Sequence, residues 1–514
     1  MNPALALPRR GARIGIQTWL WRASVSLLCL AFLACVHLYT MADPDLWGHL
    51  RFGLDILEAR AIPTHDTYSF TAHGAPWINH EWLSELLFAL VWQAAGAAGL
   101  VWLKIALALS TIAIVFSHLR RQGVTTGLAA LVLLPWTMMV PAFTLIRPLH
   151  FTIPCFAALL AVLYETNHER PRALWLLTPL FALWANLHGG VLAGAAVLLL
   201  WLAGQACFHR ELLRRAWFPA LCALAALCAN PYGWGLLEFL LRTATVHRPE
   251  IIEWAPLRAT SPNGIPYLLF SAAAVLGLVR SRLPRPAPLL ILFAAILTLP
   301  FAAIRHASLA YMAILILAGP HIADAACAWM DTRRPSAPWS LPAWSFLLPL
   351  ALSGVLAVTV LAKPHAIEIP KQKFPVQAVR VLSAAGIAGN LINRFNWGEY
   401  LIWHLAPQVR VAIDGRRETI YSPPLYQKYR LFEEGNAGWD WLLKEYPADV
   451  AVVERELVSA TRWPPSSPGA VPPPLPACAW PRATSRAHSR PHSSLRSPSI
   501  SAQFLSGDRP RRLC

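Results

Sequence analysis

Residues 22–51 read RASVSLLCLAFLACVHLYTMADPDLWGHLR. An Arg is followed by an apolar run from Ala23 to Met41, and then at once by two carboxylates, Asp43 and Asp45, with Pro44 between them. The apolar run is long enough to cross a bilayer as a helix. A secretory signal also begins with positive charge and an apolar stretch. Here no small-residue cleavage site follows and many more apolar runs do, so the segment reads as a retained first helix.

The rest of the chain has the same character. Of 514 residues, 56% are hydrophobic and 14% charged, too little polar surface for a soluble domain of this size. Apolar runs lie roughly at 23–41, 98–118, 124–142, 151–165, 173–187, 190–208, 217–230, 264–280, 287–303, 307–328 and 341–362. Positive charge collects in short loops between them: Arg120 and Arg121; Arg170 and Arg172; Arg210, Arg214 and Arg215; Arg280, Arg282 and Arg285; Arg333 and Arg334. With Arg9, Arg10, Arg13 and Arg22 inside, each cluster falls on the cytoplasmic side, as the bias of basic loops in membrane proteins requires. The expected architecture is an all-α polytopic bundle of about eleven transmembrane helices, N-terminus in and C-terminus out. Its parts are a cytoplasmic N-terminus (1–22), a bundle (23–362) with a long outer loop (42–97), and an extracytoplasmic C-terminal domain (363–458). Such a chain belongs in a plasma membrane.

The net charge of +17 does not indicate nucleic acid. Its Arg residues sit in topogenic loops, and the stretch beyond Val458 alone holds eight Arg against one Asp. Seven of the nine Cys lie in or beside apolar runs, where they read as small hydrophobes, and no Cys/His spacing marks zinc.

In this orientation the ionisable residues gather on the outer face. The first loop supplies Asp43, Asp45, His49, His80 and Glu81. Later turns add Arg147 and His150, then Asn186 and His188, then Asn230-Pro231-Tyr232-Gly233, then a loop with Arg242 and Glu253, and last Arg305 and His306. Charged groups at the ends of membrane helices are costly and mark functional sites; snorkelling and capping are the plainer explanation of any one of them. Two carboxylates two residues apart can act as a general base, the pKa of one being raised by partial burial. Together they can hold a hard divalent cation such as Mg or Mn. Alternatively, Asp45 simply caps a helix over Leu46–Ala59. His80-Glu81 is a second acid/base or ligand pair, unless Asn79 caps the interfacial helix that residues 81–95 suit, with Glu81 in its first turn. Arg147, Arg242 and Arg305 match the geometry of a phosphate at headgroup level and, equally, of an ordinary lipid contact. The catalytic candidates are therefore Asp43, Asp45, His80 and Glu81. The candidates for phosphate or substrate binding are His49, Arg147, His150, His188, Arg242, Arg305 and His306.

Beyond residue 363 the pattern changes. Residues 374–385, 424–434 and 439–445 suit helices, and 389–394, 409–413 and 450–453 suit strands, which predicts a small α/β domain with a partly parallel sheet. Asp414-Gly415-Arg416-Arg417 falls at a strand end, as a ligand site or a tight turn. Residues 459–514 are rich in Pro, Ser and Arg without periodicity, the composition of a disordered tail. The abrupt change near residue 462 reads as a shift of reading frame, which resequencing of the locus checks.

The run DPDLWGHLRFGLDILEARAIPTHDTYSFTAHGAPWINHEWLSELL at 43–87, with NLHGG at 186–190, NPYG at 230–233, IRH at 304–306 and FNWGEYLIWHLAPQVRVAIDGRRETIY at 395–421, resembles a bacterial subgroup of the GT-C membrane glycosyltransferases. The class includes the protein O-mannosyltransferase and lipid A aminoarabinose transferase types, which take sugars from polyprenyl-phosphate carriers. The resemblance spans about residues 20–458 and lacks the more familiar mannosyltransferase loop motifs. It implies an acidic residue at the start of the first outer loop that serves the acceptor as base or binds metal, a role that falls on Asp43 and Asp45. The implied activity is sugar transfer from a polyprenyl-phosphate-linked donor, drawn from the membrane lipid phase. A transporter or flippase of a lipid-linked substrate is the alternative, as is a non-catalytic protein of the same fold. Transporters place polar groups near the midplane within inverted repeats, and no repeat is visible here.

Overall fold

The computed structural model describes residues 16–168, 170–244, 246, 251–331, 344–363, 365–454 and 500–504. It divides into two compact units, one of residues 1–64 and 78–368 and one of residues 65–77 and 369–514.

The first unit is helical. α1 (Ile16–Val36) packs along α14 (Leu347–Ala362), and α2 (Leu46–Ala59) packs on α3 (Trp82–Arg121). α3 has one non-helical residue, Gly96, at φ 57° and ψ −146°. That backbone region is open to glycine and closed to most other residues. It divides the stretch expected to lie in the interface from the apolar helix that follows. α4 (Thr126–Val132) and a 3-10 helix (Leu134–Thr144) meet at a bend of 51°. Then come α5 (Leu149–Asn167), α6 (Leu177–Leu187), α7 (Val191–Phe208), α8 (Arg210–Ala225), α9 (Trp234–Ala244), α10 (Gly264–Arg280) and α11 (Ala287–Thr298). α12 (Ala307–Ala313) continues through a π-helical turn into α13 (Gly319–Asp331).

Trp136, Trp184, Trp201, Phe156 and Phe181 are fully buried between these helices, while Leu27, Phe32, Leu269, Val279, Leu348, Val355 and Leu361 face outward. Helices apolar on both their inner and outer faces belong in lipid. Among the described residues five stretches are long and apolar enough to cross a membrane: Trp19–Val36, Trp82–Arg121, Leu149–Asn167, Val191–Phe208 and Ile304–Met330. The bent pair makes a sixth if it is one span. The chain is a multi-pass membrane protein. The other expected spans are helical but shorter; α6, for example, has 11 residues where a full crossing takes about 20. Three of the Arg residues expected to fix the N-terminus inside, and Arg333 and Arg334, fall outside the described residues.

The second unit is α/β. Its elements are α15 (Val376–Ala384), β1 (Gly389–Asn393), α16 (Gly398–Leu405), β2 (Val409–Val411), α17 (Arg417–Ile420), α18 (Pro423–Glu434), α19 (Trp441–Glu445), β3 (Val450–Glu454) and β4 (Ile500–Phe504). The sheet order is β2-β1-β3-β4. β1 pairs in parallel with β2 and β3, with Gly389 opposite Val409 and Leu391 opposite Val450, and β3 pairs antiparallel with β4. β4 corrects the expectation that the whole of 459–514 lacks regular structure: the edge of β3 leaves a row of backbone groups to satisfy, and residues 500–504 pair with it. The remainder of that tail, and the proposed frame change near residue 462, lie outside the described residues.

Residues 65–77 join this second unit although they come from the loop between α2 and α3. Val411 N–H donates to Tyr68 O at 3.0 Å, Phe70 N–H donates to Val411 O at 3.0 Å, and Thr71 Oγ1 donates to Ala412 O at 2.5 Å. Asp414 holds its motif in a tight turn. Its Oδ1 accepts the Arg416 N–H at 3.0 Å, and its carboxylate also takes Arg416 Nε, an Arg416 Nη and the Tyr421 hydroxyl.

Candidate active site

The site is built on the segment after α1. Asp43 is fully buried. Its Oδ1 accepts the N–H of Asp45 at 3.0 Å, which closes the turn into α2, and its Oδ2 accepts Arg147 Nε at 2.5 Å. Arg147 also donates to Glu253 Oε1 at 2.5 Å. Asp45 stands at the N-terminus of α2, as expected, but its side chain makes no cap hydrogen bond. Asp43 has taken over the local turn and leaves the Asp45 carboxylate available. Burial, with the charge of Asp43 beside it, pushes Asp45 up to about 6 against the pull of Arg147 and His49. A carboxylate poised there exchanges protons near neutral pH.

One turn along α2, His49 Nδ1 lies 3.1 Å from Glu85 Oε1, and Asn79 Nδ2 donates to Glu85 Oε2 at 2.5 Å. The other ring nitrogen of His49 is 3.9 Å from Glu81 Oε2. Burial alone would lower His49. The bond to Glu85 and the charges of Glu81, Glu85 and Asp45 outweigh it and raise the ring to about 9.

Glu81 faces three imidazoles: its carboxylate is also 3.7 Å from His80 Nε2 and 3.4 Å from His188 Nε2. Burial works to raise it, and His80, His188, His49 and Arg305 together hold it below its ordinary value. The tautomer of His188 follows from its partners. Nδ1 accepts the Gly190 N–H at 2.9 Å and lies 2.9 Å from Thr152 Oγ1, which itself accepts Trp184 Nε1–H at 2.9 Å. With Nδ1 accepting, the proton sits on Nε2, toward Glu81. Burial lowers His188 to about 4 even against the charge of Glu81, so this ring is a neutral donor at neutral pH.

Hydrogen bonds draw the separate sequence motifs together. Trp82 Nε1 donates to Asn186 Oδ1 at 3.0 Å, Ser84 Oγ to Leu187 O at 2.6 Å, and Asn79 N–H to the Tyr232 hydroxyl oxygen at 3.0 Å. Residues 79–85, 186–190 and 230–232 therefore form one constellation. The Arg305 guanidinium lies 4.5 Å from the centre of the Trp254 ring, next to Glu253.

Asp43, Asp45, His49, His80, Glu81, Arg147, His188 and Arg305 thus share a neighbourhood. His150 is placed elsewhere: its ring stacks on Phe143 at 4.5 Å and its Nε2 pairs with Ala142 O at 3.2 Å, the environment of a core histidine. Arg242 is exposed in the last turn of α9, and His306 Nδ1 lies 3.4 Å from Leu299 O. Sequence reading passed over Glu85 and Thr152. Glu85 had a signal, since it follows Glu81 by one helical turn and shares its face; Thr152, in an apolar run, had none. Among the described residues no group of three or more His, Cys, Asp or Glu is arranged to hold a metal ion, and Asp43, one of the two expected ligands, already carries Arg147.

This multi-pass helical bundle, with paired carboxylates straight after its first helix and a small α/β unit in the same chain, shares its fold with a solved membrane enzyme. Among solved structures the chain is similar to the oligosaccharyltransferase of Archaeoglobus fulgidus. The apo crystal structure aligns with a TM-score of 0.57 at 11% identity, covering 84% of this chain and 70% of that one. The same archaeal enzyme, AglB, in complex with an inhibitory peptide and a dolichol-phosphate aligns with a TM-score of 0.55 at 13% identity, covering 84% and 69%. Its complex with Zn and sulfate aligns with a TM-score of 0.51 at 11% identity, covering 84% and 68%. No family model and no curated protein matches the chain. At this identity the likeness establishes the fold.

Proposed function

We propose that this protein is a glycosyltransferase that moves a sugar from a polyprenyl-phosphate carrier to an acceptor at the outer face of a bacterial inner membrane. The observation that carries the reading is the division of labour between the two carboxylates. Asp43 is occupied by Arg147, so of the pair expected to supply the base, Asp45 is the one free to act. Its raised pKa leaves it ionised at neutral pH and still basic enough to take a proton.

In this reading the acceptor hydroxyl gives its proton to Asp45 as its oxygen bonds to the anomeric carbon. The bond from that carbon to the carrier phosphate breaks, and the lipid phosphate leaves with the electron pair. The attack comes from the opposite side, so the configuration inverts. Arg147 and Arg305 face the departing charge, where a fixed guanidinium does most. The fold supports the reading, as does the dolichol-phosphate held by the archaeal enzyme. The archaeal enzyme has been crystallised with Zn; here Arg147 occupies Asp43, one of the two carboxylates expected to hold such an ion.

The test is transfer of labelled sugar from lipid-linked donors in membranes containing the wild type, Asp45→Asn and Asp43→Asn. Loss of at least about a hundredfold in Asp45→Asn is expected for removal of a general base. Full activity in Asp45→Asn removes that assignment, and movement of the lipid across the bilayer without any glycosylated product replaces the enzyme with a transporter.

A further inference from the structure

We infer that Glu85 is a positioning residue for the proposed reaction: with Asn79 it holds His49 doubly protonated, one N–H on Glu85 and the other turned toward Glu81. The inference rests on the glycosyltransferase reading for its purpose, though not for its geometry.

The geometry is a chain of three links. Asn79 Nδ2 can only donate, so Glu85 Oε2 accepts at 2.5 Å. Glu85 Oε1 then faces His49 Nδ1 at 3.1 Å, and a carboxylate oxygen there accepts a hydrogen bond from the ring N–H. The Glu85 side chain is only 3% exposed and that of His49 only 12%, so water offers neither group much. A buried carboxylate needs a cationic or donating partner, and His49 is its nearest cation. Its Nε2 is left to face Glu81 at 3.9 Å. The charged groups around the ring are Asp45 at the start of α2 and Glu81 and Glu85 at the start of α3, with neutral His188 beyond Glu81 and the edge of Phe88 on one side. Three carboxylates against one imidazole favour the imidazolium, and its raised pKa agrees.

The consequence concerns the donor. A lipid phosphate entering the site meets the negative field of Asp45 and Glu81, and an imidazolium fixed between Glu81 and Glu85 offsets it. Neither Asn79 nor Glu85 needs to touch the substrate to do this.

Carbethoxylation by diethyl pyrocarbonate reads the state of His49 directly, because only the neutral ring reacts. The full chain is reconstituted in nanodiscs, treated between pH 5 and 10, and the His49 peptide quantified by mass spectrometry. Wild-type His49 is expected to become reactive only near pH 9. In Glu85→Gln the midpoint should fall by about two pH units, and in Asn79→Ala by less. In parallel, Glu85→Gln should raise the KM for a polyprenyl-phosphate donor more at pH 8 than at pH 6 with little change in kcat, and Glu85→Asp should restore part of it; a merely structural defect would lower activity equally at both. A wild-type midpoint near 6.5 overturns the assignment without any variant having to fold, and so does an unmoved midpoint in folded Glu85→Gln. If wild-type His49 titrates near 9 and no sugar is transferred, the glycosyltransferase reading fails and the pairing of Glu85 with His49 stands.

Discussion

Arg147 Nε donates to Asp43 Oδ2 at 2.5 Å across 104 positions of sequence. Asp43 is wholly buried, whereas the second partner of Arg147, Glu253, is 44% exposed. The two ends of this ion pair are therefore not equivalent. Removing Arg147 strands a buried carboxylate; removing the Asp43 charge leaves Arg147 with Glu253 and water. Arg147→Ala should cost about 3–5 kcal/mol, and Asp43→Asn about 1–2 kcal/mol. Denaturation of the two variants in the same detergent checks the order. Equal losses would mean that Asp43 finds another partner or takes a proton.

The acid and alkaline limbs should belong to different residues. Asp45 titrates at about 6, so proposed transferase activity should climb as pH rises through 6 and the carboxylate ionises. His49 acts on stability. Its folded pKa of about 9 lies above the ordinary 6.5, so the folded state holds the proton more tightly than the unfolded chain. That contribution is complete below pH 6.5 and is lost as pH rises through 9. Its size is on the order of 3 kcal/mol. Thermal melting at pH 6, 7.5 and 9.5 should show the loss in the wild type and a much flatter curve in His49→Gln. Parallel curves would remove His49 from the pH response.

A glycine sets the distance between α2 and α3. A Cβ on Gly53 would lie 2.1 Å from the backbone oxygen of Glu85, and a helix backbone cannot yield by that much. Gly53→Ala should push α2 away from α3 at the turn that carries His49, costing about 1–3 kcal/mol. The His49–Glu85 bond should loosen with it. In the diethyl pyrocarbonate assay His49 of Gly53→Ala should react at lower pH than the wild type; an unchanged midpoint would show that the helices slide without separating.

Periodicity and turn residues made the local elements legible. The helix over Leu46–Ala59 has the bounds expected for it, and the three strands of the parallel sheet start where Gly389, Val409 and Val450 predicted. These depend on neighbours in sequence, which a single chain displays. Which partner each polar group would take was not legible. His150 sits three residues from Arg147 and has the composition of a site residue, but a stack on Phe143 claims it. Asp43 and Asp45 look interchangeable in DPD; only the arrival of Arg147 from 104 residues away separates them. Residues 65–77 were equally hidden. Their pairing with β2 reaches across more than 300 residues, and nothing in THDTYSFTAHGAPW marks it as part of a sheet.

That distant pairing has its own anchor. Arg416 is buried with Asp66 Oδ1 2.8 Å and Asp414 Oδ2 2.7 Å from one of its terminal nitrogens. Its guanidinium lies 5.1 Å from the centre of the Tyr68 ring and 4.8 Å from that of Trp77, two rings that stand nearly perpendicular to each other. A planar fork serves all four at once; an ammonium does not. Arg416→Lys keeps the charge but loses the second bond to Asp414 and the guanidinium's approach to the two rings. It should therefore destabilise the second unit by about 2–4 kcal/mol. Tyr421→Phe removes only one hydroxyl donor from Asp414 and should cost about 1 kcal/mol. Hydrogen exchange at Tyr68, Ser69 and Phe70 reports the result, because the first two amides donate to Asp66 and the third to Val411. Faster exchange there in Arg416→Lys than in Tyr421→Phe is the expected order. The same order would establish that the planar guanidinium, rather than its charge, fastens this loop to the sheet, and equal protection in both would show that the backbone pairing with Val411 holds it unaided.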